Sequence, residues 1–422
     1  MTRDEIFDLI EEENVEFIRL QFADIFGHLK NIAVTPNQLE RVMDNMFPFD
    51  GSGLFDERYP YKGALYLNPD LDTFVILPWR PQQGKVAKMI CDVCTKDGKL
   101  CELSSRTILK KTIQEAKELG YTFKINPECE FFLFHTDDNG NATTTTHEKA
   151  GYLDVGPADF GENARRDMVL TLEEMGFDIE SSHHEKAPGQ HEIDFTEGES
   201  LLIADSIVTF RFAVRSIAKR FGLYATFMPK PISGVAGSGM HLNFVLQKDG
   251  KYVFEEKNQE MSDEARYFIG GILAHAEGMS LVTNPIVNSY KRIMSGFEAP
   301  RAIKWEKEGE ECLVRYHESF GEQKVELRFP DSAANPYTAI AACIAAGLDG
   351  IKNKIDPDSL PKNKLLPGNL KDAIRQFKKD ELIKSTLGPE YSKIYLEIKE
   401  AAWDEYMMQV SDWEVNRYLT KM

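Results

Sequence analysis

The sequence has no run of about eighteen consecutive apolar residues, so nothing in it reads as a membrane-spanning helix. Its N-terminus, MTRDEIFDLIEEENV, lacks the basic start and apolar block of a secretory leader. Those two absences together predict a cytoplasmic protein. Cysteine is scarce. There are six, too few for a disulfide framework in a chain of 422 residues. Cys91 and Cys94 form a CxxC with Cys101 close by, but no second ligand pair stands at matching spacing. A zinc site is not expected, and the thiols read as buried and free. Basic charge is in deficit, with 50 Lys and Arg against 68 Asp and Glu and a formal net charge of -18. Binding to a phosphate backbone wants clustered cations, so nucleic acid is not expected as a partner. There is also no internal repeat and no low-complexity tract.

The length suits two domains, or one large domain with an appendage. In the first hundred residues a short helix is expected over 2–14. FIRLQFADIFGHLKNIAV follows as a hairpin turning at Asp24–Gly27, and a helix over 35–45. FVILPW and KVAKMICDV are strand candidates, separated from the helix by the Gly-, Asp- and Pro-containing loop FDGSGLFDERYPYKG. SSRTILKKTIQEAKELGY begins with a Ser-type cap, which places a domain boundary near residue 104. Beyond it ENARRDMVLTLEEMG, DSIVTFRFAVRSIAKRFG and DEARYFIGGILAHAEGMSLVT read as amphipathic helices. The Ala-rich PYTAIAACIAAGLDGIKNKI reads as a buried helix, and DDNGNATTTTHEKAG as a surface loop or mobile segment.

Chemistry concentrates where carboxylates interrupt strand-like runs. Alternate residues of a strand share a face, so in PECEFFLF Glu128 and Glu130 point one way while Cys129, Phe131 and Leu133 point the other. Taken alone, a strand end with two solvated glutamates explains this stretch equally well. The pattern recurs, however. Glu185 and Glu192 flank the Pro188-Gly189 bend of SSHHEKAPGQHEIDF. Glu326 and Arg328 share a face of KVELRFPDSAANPY, and His241 and Asn243 share a face of GSGMHLNFVL. If these faces converge, five carboxylates and one imidazole share a cavity, and such a cluster needs cations to stay ionised. Mostly oxygen ligands with one histidine suit Mg²⁺ or Mn²⁺. Arg292, Arg315 and Arg328 each read singly as a surface ion pair. Beside the carboxylates, they suit an anionic substrate and a nucleotide.

The motifs PECEFFLF, HHEKAPGQHEIDF, GSGMH, NSYKR, GFEAP and VELRFPDSAANPY resemble the successive signatures of the bacterial type I glutamine synthetase family. FDGSGL is similar to that family's N-terminal-domain loop, and the resemblance runs from near residue 5 to near residue 420. It implies an α+β chain with an N-terminal β-grasp domain (1–104) and a catalytic domain (105–422) built on an antiparallel sheet flanked by helices. It implies a homo-oligomer, a dodecamer of two hexameric rings with active sites between subunits. It implies ligation of ammonia to the γ-carboxylate of glutamate, with ATP as substrate and γ-glutamyl phosphate as intermediate. Carried onto this sequence, Glu130, Glu185 and Glu192 would hold one divalent ion, and Glu128, His241 and Glu326 the second. Arg292 and Arg328 would bind glutamate carboxylates, with Gly237 beside the substrate. Glu180, Asn243, Arg315 and Lys324 would serve the nucleotide. Asp50, from the adjacent subunit, and Glu298, in a closing flap, would bind ammonium and take its proton.

Three positions depart from the family pattern. Gly309-Glu310-Glu311 stands where the family carries Asn-Arg-Ser, a charge reversal at a phosphate-binding position. Ala236 replaces an Asn usual in glutamine-forming members, and Lys324 replaces an Arg. The segment between KNKIDPDS and GNLKDAI lacks a regulatory Tyr-containing loop, so control by adenylylation is not expected. Two alternatives follow from these departures: a γ-glutamyl-amine ligase acting on methylamine, ethanolamine or a polyamine, and a catalytically impaired scaffold or regulator.

Overall fold

The computed structural model describes every residue except 56–60, 62, 80–83, 147, 256–260 and 422. Residues 56–60 and 62 of the FDGSGLFDERYPYKG loop, and residue 147 of the polar tract, therefore lie outside the described residues. The N-terminal part contains α1 (Arg3–Glu12), β1 (Val15–Ala23), β2 (Leu29–Val34), α2 (Pro36–Asn45), β3 (Phe47–Asp50), β4 (Ala64–Pro69), β5 (Val75–Ile76) and β6 (Lys85–Cys94). Thr2 and Glu5 close a capping box on α1. The β1–β2 hairpin forms as its turn residues predict. Asp24 accepts the amides of Phe26 and His28, both at 2.9 Å, and Gly27 takes φ +79°. A Cβ on Gly27 would also lie 2.8 Å from the Asn335 backbone, so the turn docks against the far end of the chain. The strands order as β2-β1-β6-β4-β3, with β5 on β6. The strand expected over FVILPW shrinks to the two residues Val75–Ile76, because only they pair with β6.

The rest comprises α3 (Ser105–Glu118), β7 (Tyr121–His135), α4 (Glu162–Glu174), β8 (Ile179–His184), β9 (Gln190–Phe195), β10 (Gly198–Glu199), α5 (Ser200–Arg220), β11 (Leu223–Thr226), β12 (Met240–Lys248) and β13 (Lys251–Tyr252). They are followed by α6 (Asp263–Thr283), α7 (Val287–Met294), β14 (Trp305–Lys307), β15 (Val314–Ser319), β16 (Glu322–Leu327) and α8 (Pro336–Asn353). The chain ends with α9 (Leu370–Lys379), α10 (Glu381–Leu387), α11 (Pro389–Met407) and α12 (Asp412–Tyr418). The second sheet orders as β14-β15-β16-β12-β7-β9-β8 and is antiparallel apart from the β14–β15 pair. Helix α5 begins five residues before the expected Asp205. Ser104 occupies the α3 cap position without a side-chain capping bond. The polar tract is not wholly a surface loop. Its Glu148 is buried, 2.8 Å from His184 Nε2.

The sheet's apolar face, with Cys129, Phe131, Val325, Leu327 and Phe329, is buried against the core. All six cysteines are buried and free, as expected. A charged hub ties the first sheet to the second part. The buried Arg106 guanidinium pairs with Asp70 (2.7 Å), Asp92 and Asp205 (2.8 Å), and the Tyr337 hydroxyl donates to Asp205 at 2.6 Å.

Candidate active site

Strand register assembles the site. Glu128 on β7 lies opposite His241 on β12 and opposite Asp194 on β9, and Glu130 lies opposite Glu192. Asn243 faces Glu326 across β12–β16, and Arg315 faces Glu326 across β15–β16. Cross-strand neighbours sit about 5 Å apart at Cβ, so five strands bring together carboxylates and cations that sequence distance conceals. They open on a cavity of about 300 Å³. Of the residues expected from the sequence, Glu128, Glu130, Glu185, Glu192, His241, Gly237, Arg292, Arg315, Arg328 and Glu298 line it, together with Ala236 and Glu310.

The cavity has two electrostatic halves. In one, Glu326 is fully buried and in contact with three cationic groups. These are Arg315 Nε, Arg328 Nη1 at 2.9 Å and His241 Nδ1 at 3.2 Å. Burial opposes its charge, but His241, Arg328 and Arg315 outweigh burial and hold it well below the usual carboxylate range. Glu128 accepts from His241 Nδ1 (2.9 Å) and Asn243 Nδ2 (2.9 Å). Burial lowers His241, yet its bonds to Glu128 and Glu326 carry it up to about 9.

The other half has excess negative charge. Burial, then the charges of Asp194 and Glu130, push Glu192 well above its ordinary value. Burial and then Glu185 raise Glu130. Asp194 rises to about 7 through burial and then Glu128. Glu130 Oε2 is engaged by Gln190 Nε2 at 2.6 Å and by the Gly239 amide at 3.0 Å. The ligand atoms that converge on one point here are those of His183, Glu185 and Glu192, all within 4.8 Å of one another; Glu128, His241 and Glu326 form a second such trio. This donor set fits hard divalent cations, and the carboxylates driven toward protonation are the observation that calls for them.

Arg292, buried behind the site, donates to the carbonyls of Phe329, Pro330 and Arg328 at 3.3, 3.4 and 3.3 Å. Gly239 stands between the halves. A Cβ there would lie 2.7 Å from Arg292 Nη2, 3.0 Å from Glu130 Oε1 and 3.1 Å from His241 Nε2, so a side chain at this position would push these three groups from their places. Glu298 sits at the rim with φ +63° and pairs with Lys186, whose ammonium also lies over the Tyr152 ring at 5.2 Å. Phe132 and Phe134 share the Glu128 face but pack as a separate apolar cluster with Ala187, closing that end. The polar side of β7 therefore stops at Glu130.

Three expected nucleotide residues lie beside the cavity. Asn126 bridges Glu180 (Nδ2 to Oε2, 3.3 Å) and Lys324 (Nζ to Oδ1, 3.2 Å), and His317 Nε2 meets Asn243 Oδ1 at 2.9 Å. Asp50 lies outside the cavity, exposed at the end of β3, where it caps the Ser52 amide at 3.0 Å. Sequence reasoning missed Asp194 and His183, although alternation from Glu192 and Glu185 reaches both. It missed Asn126 and His317, which only strand pairing reveals.

Against known proteins, residues 14–96 match the family model described as the glutamine synthetase β-grasp domain, and residues 102–418 the glutamine synthetase catalytic domain. A glutamine synthetase of Clostridium saccharobutylicum is 50% identical, over 100% of this chain and 99% of that protein. One from Staphylococcus aureus is 45% identical, over 99% and 98%. Among solved structures, a GmaS/ADP complex is similar with a TM-score of 0.89 at 29% identity, covering 98% of this chain and 99% of that one. No helix among the described residues is long and apolar enough to cross a membrane. Two matched domains and full-length relatives, laid over this cavity, place the chain in the glutamine synthetase family, a family of ligases.

Proposed function

We propose that this protein is an ATP-dependent glutamate–ammonia ligase. The observation that carries the proposal is the two-sided cavity, where a carboxylate cluster faces Arg292, Arg315 and Arg328. In the proposed reaction a γ-carboxylate oxygen of glutamate attacks the γ-phosphorus of ATP and ADP leaves. Ammonia then attacks the acyl carbon, and phosphate leaves with the C–O bonding pair. Arg292 and Arg328 hold glutamate carboxylates, Gly237 lies beside the substrate, and Arg315 faces the charge on the moving phosphoryl group. Glu180, Asn243 and Lys324 serve the nucleotide. Glu298, with Asp50 of the adjacent subunit, binds ammonium and takes its proton. Glu130, Glu185 and Glu192, joined by His183, would hold one Mg²⁺ or Mn²⁺, and Glu128, His241 and Glu326 the other. When bound, the ions supply Lewis-acid neutralisation of phosphate charge. The same reading includes a cytoplasmic dodecamer of two hexameric rings, with the domain boundary at residue 104.

A second reading, ligation of an organic amine, is favoured by two observations. Ala236 and Glu310 both line the cavity, so a small side chain and one carboxylate of the charge reversal border the site. One of the similar solved structures is a GmaS/ADP complex, a neighbour that points toward an amine acceptor. Coupled ADP release with glutamate, run across ammonium, methylamine, ethanolamine and a polyamine, separates the readings. Turnover that is best with ammonium supports the first, and turnover that is best with an organic amine supports the second. Absence of ADP release with every acceptor would leave the impaired scaffold or regulator.

A further inference from the structure

A second cavity, of about 560 Å³, lies between the β1–β2 turn, α5, α11 and the Ser332–Asn335 segment. One of its walls, Arg211, reaches Met240 Sδ at 3.5 Å. Met240 alternates with His241 on β12, so this cavity backs onto the sheet from the face opposite the carboxylates. Ser332 lines this cavity and bonds toward the ligase side of the sheet. Its hydroxyl lies 2.8 Å from the Glu130 carbonyl and 2.7 Å from that of Gly239.

The charge of this cavity is anomalous. The chain carries a formal net charge of -18, yet His28, Arg211, Arg215, Lys219 and Lys399 line the cavity with no Asp or Glu among its described lining residues. Lys399 is 4% exposed. Among the described residues its ammonium makes no hydrogen bond and no ion pair; it faces the rings of Tyr395 at 4.8 Å and Phe26 at 5.4 Å, and the buried Asp331 acts on it only through space. Arg211 is 8% exposed and donates to the Ala334 carbonyl at 3.0 Å, and no carboxylate among the described residues lies within ion-pair distance of it. Arg215 stands at the exposed mouth, its guanidinium 5.1 Å from the centre of the Phe227 ring. The carboxylates behind these walls make their hydrogen bonds and ion pairs elsewhere, although the charge of Asp331 still favours the cationic forms of Lys399 and Arg211. Asp24 takes two backbone amides and pairs with Lys30 and His28. Asp331 accepts from Asn284 and from the Ala333 amide. Burial pulls Lys399 down to about 8.

A buried cation without a partner is among the costlier features a fold can carry, and an anion relieves it. We propose that this cavity binds a small organic anion, a carboxylate- or phosphate-bearing metabolite. Its charged end is held by Lys399 and Arg211, and its body packs on Phe212 and Phe227. The site is separate from the ligase cavity and does not depend on which amine is the acceptor.

Calorimetric titration and thermal scans of the full-length protein, in its own assembly, test this with two probes: inorganic phosphate and malonate, against chloride at equal ionic strength. Lys399→Met is expected to raise the apparent Tm in chloride and to weaken binding of the responding probe about tenfold or more. Arg215→Gln, at the exposed mouth, is expected to weaken it without changing the fold. Phosphate bound in the ligase cavity is unaffected by either substitution, and the preferred probe identifies the anion chemistry. Identical responses to both probes in wild type and both variants would overturn the proposal. So would an assembly structure in which a neighbouring copy of the chain pairs with Lys399.

Discussion

Glu192→Gln reverses the sign of its own effect on stability when divalent metal is added. Glu192 is buried opposite Glu130, and burial, Asp194 and Glu130 together push it well above its ordinary value. Its folded value is raised, so its contribution to stability is fully present below the unfolded pKa. That contribution is lost as pH rises through the folded value. A charged carboxylate held there at pH 8 works against that rise, so in EDTA at pH 8 the amide is the more stable of the two. With metal the balance inverts. Wild type at about a hundred times Kd gains about 2.7 kcal/mol from the ion. Removing one charged partner of a buried ion costs about 2–5 kcal/mol, enough to cancel that gain at the same concentration. The assay is the apparent Tm of both proteins at pH 8, with EDTA and with Mg²⁺, at one scan rate. The variant should melt higher in EDTA and lower in Mg²⁺. Equal destabilisation in both buffers, or an undiminished rise with Mg²⁺ in the variant, would refute the reasoning.

Arg106→Met leaves Asp70, Asp92 and Asp205 without their shared cation, so a loss of about 3–5 kcal/mol is expected in a thermal or denaturant melt. His275 bonds Asp380 (2.9 Å) and Asp349 (3.2 Å), which outweigh burial and raise its pKa. That stability is full below about pH 6.5 and declines as pH rises through the folded value, so His275→Gln should flatten the wild-type decline in Tm above pH 6.5. Glu310 lines the ligase cavity. Glu310→Gln should lower kcat/KM for a diamine relative to ammonium if an organic cation is the acceptor, and should leave the ratio unchanged if ammonium is.

Strand alternation made much of the site legible in advance. Glu128 and Glu130, His241 and Asn243, and Glu326 and Arg328 each sit on the polar side that the period of two assigns them. What alternation cannot supply is register. Nothing in the order of residues says that Asn126 bridges Glu180 and Lys324, or that Arg315 meets Glu326, because those contacts are set by how four strands slide against one another. Phe132 and Phe134 broke the expected division of faces. They share a parity with Glu130, yet pack with Ala187 where the sheet meets another segment. FVILPW has good strand composition but pairs through only two residues. Long-range charge pairs such as Arg106 with Asp205 carry no local signal.

The account's central claim is that this cavity ligates an amine to glutamate at the expense of ATP. The measurement that tests it most directly is the rate of ADP release with glutamate and Mg²⁺, with and without ammonium, in wild type and Arg328→Met. The account predicts release that requires glutamate and ammonium together and collapses in the variant, which lacks the Arg328 guanidinium that pairs with the buried Glu326 at the cavity wall in wild type. ADP release that proceeds without either co-substrate, or that survives loss of Arg328 intact, would contradict it.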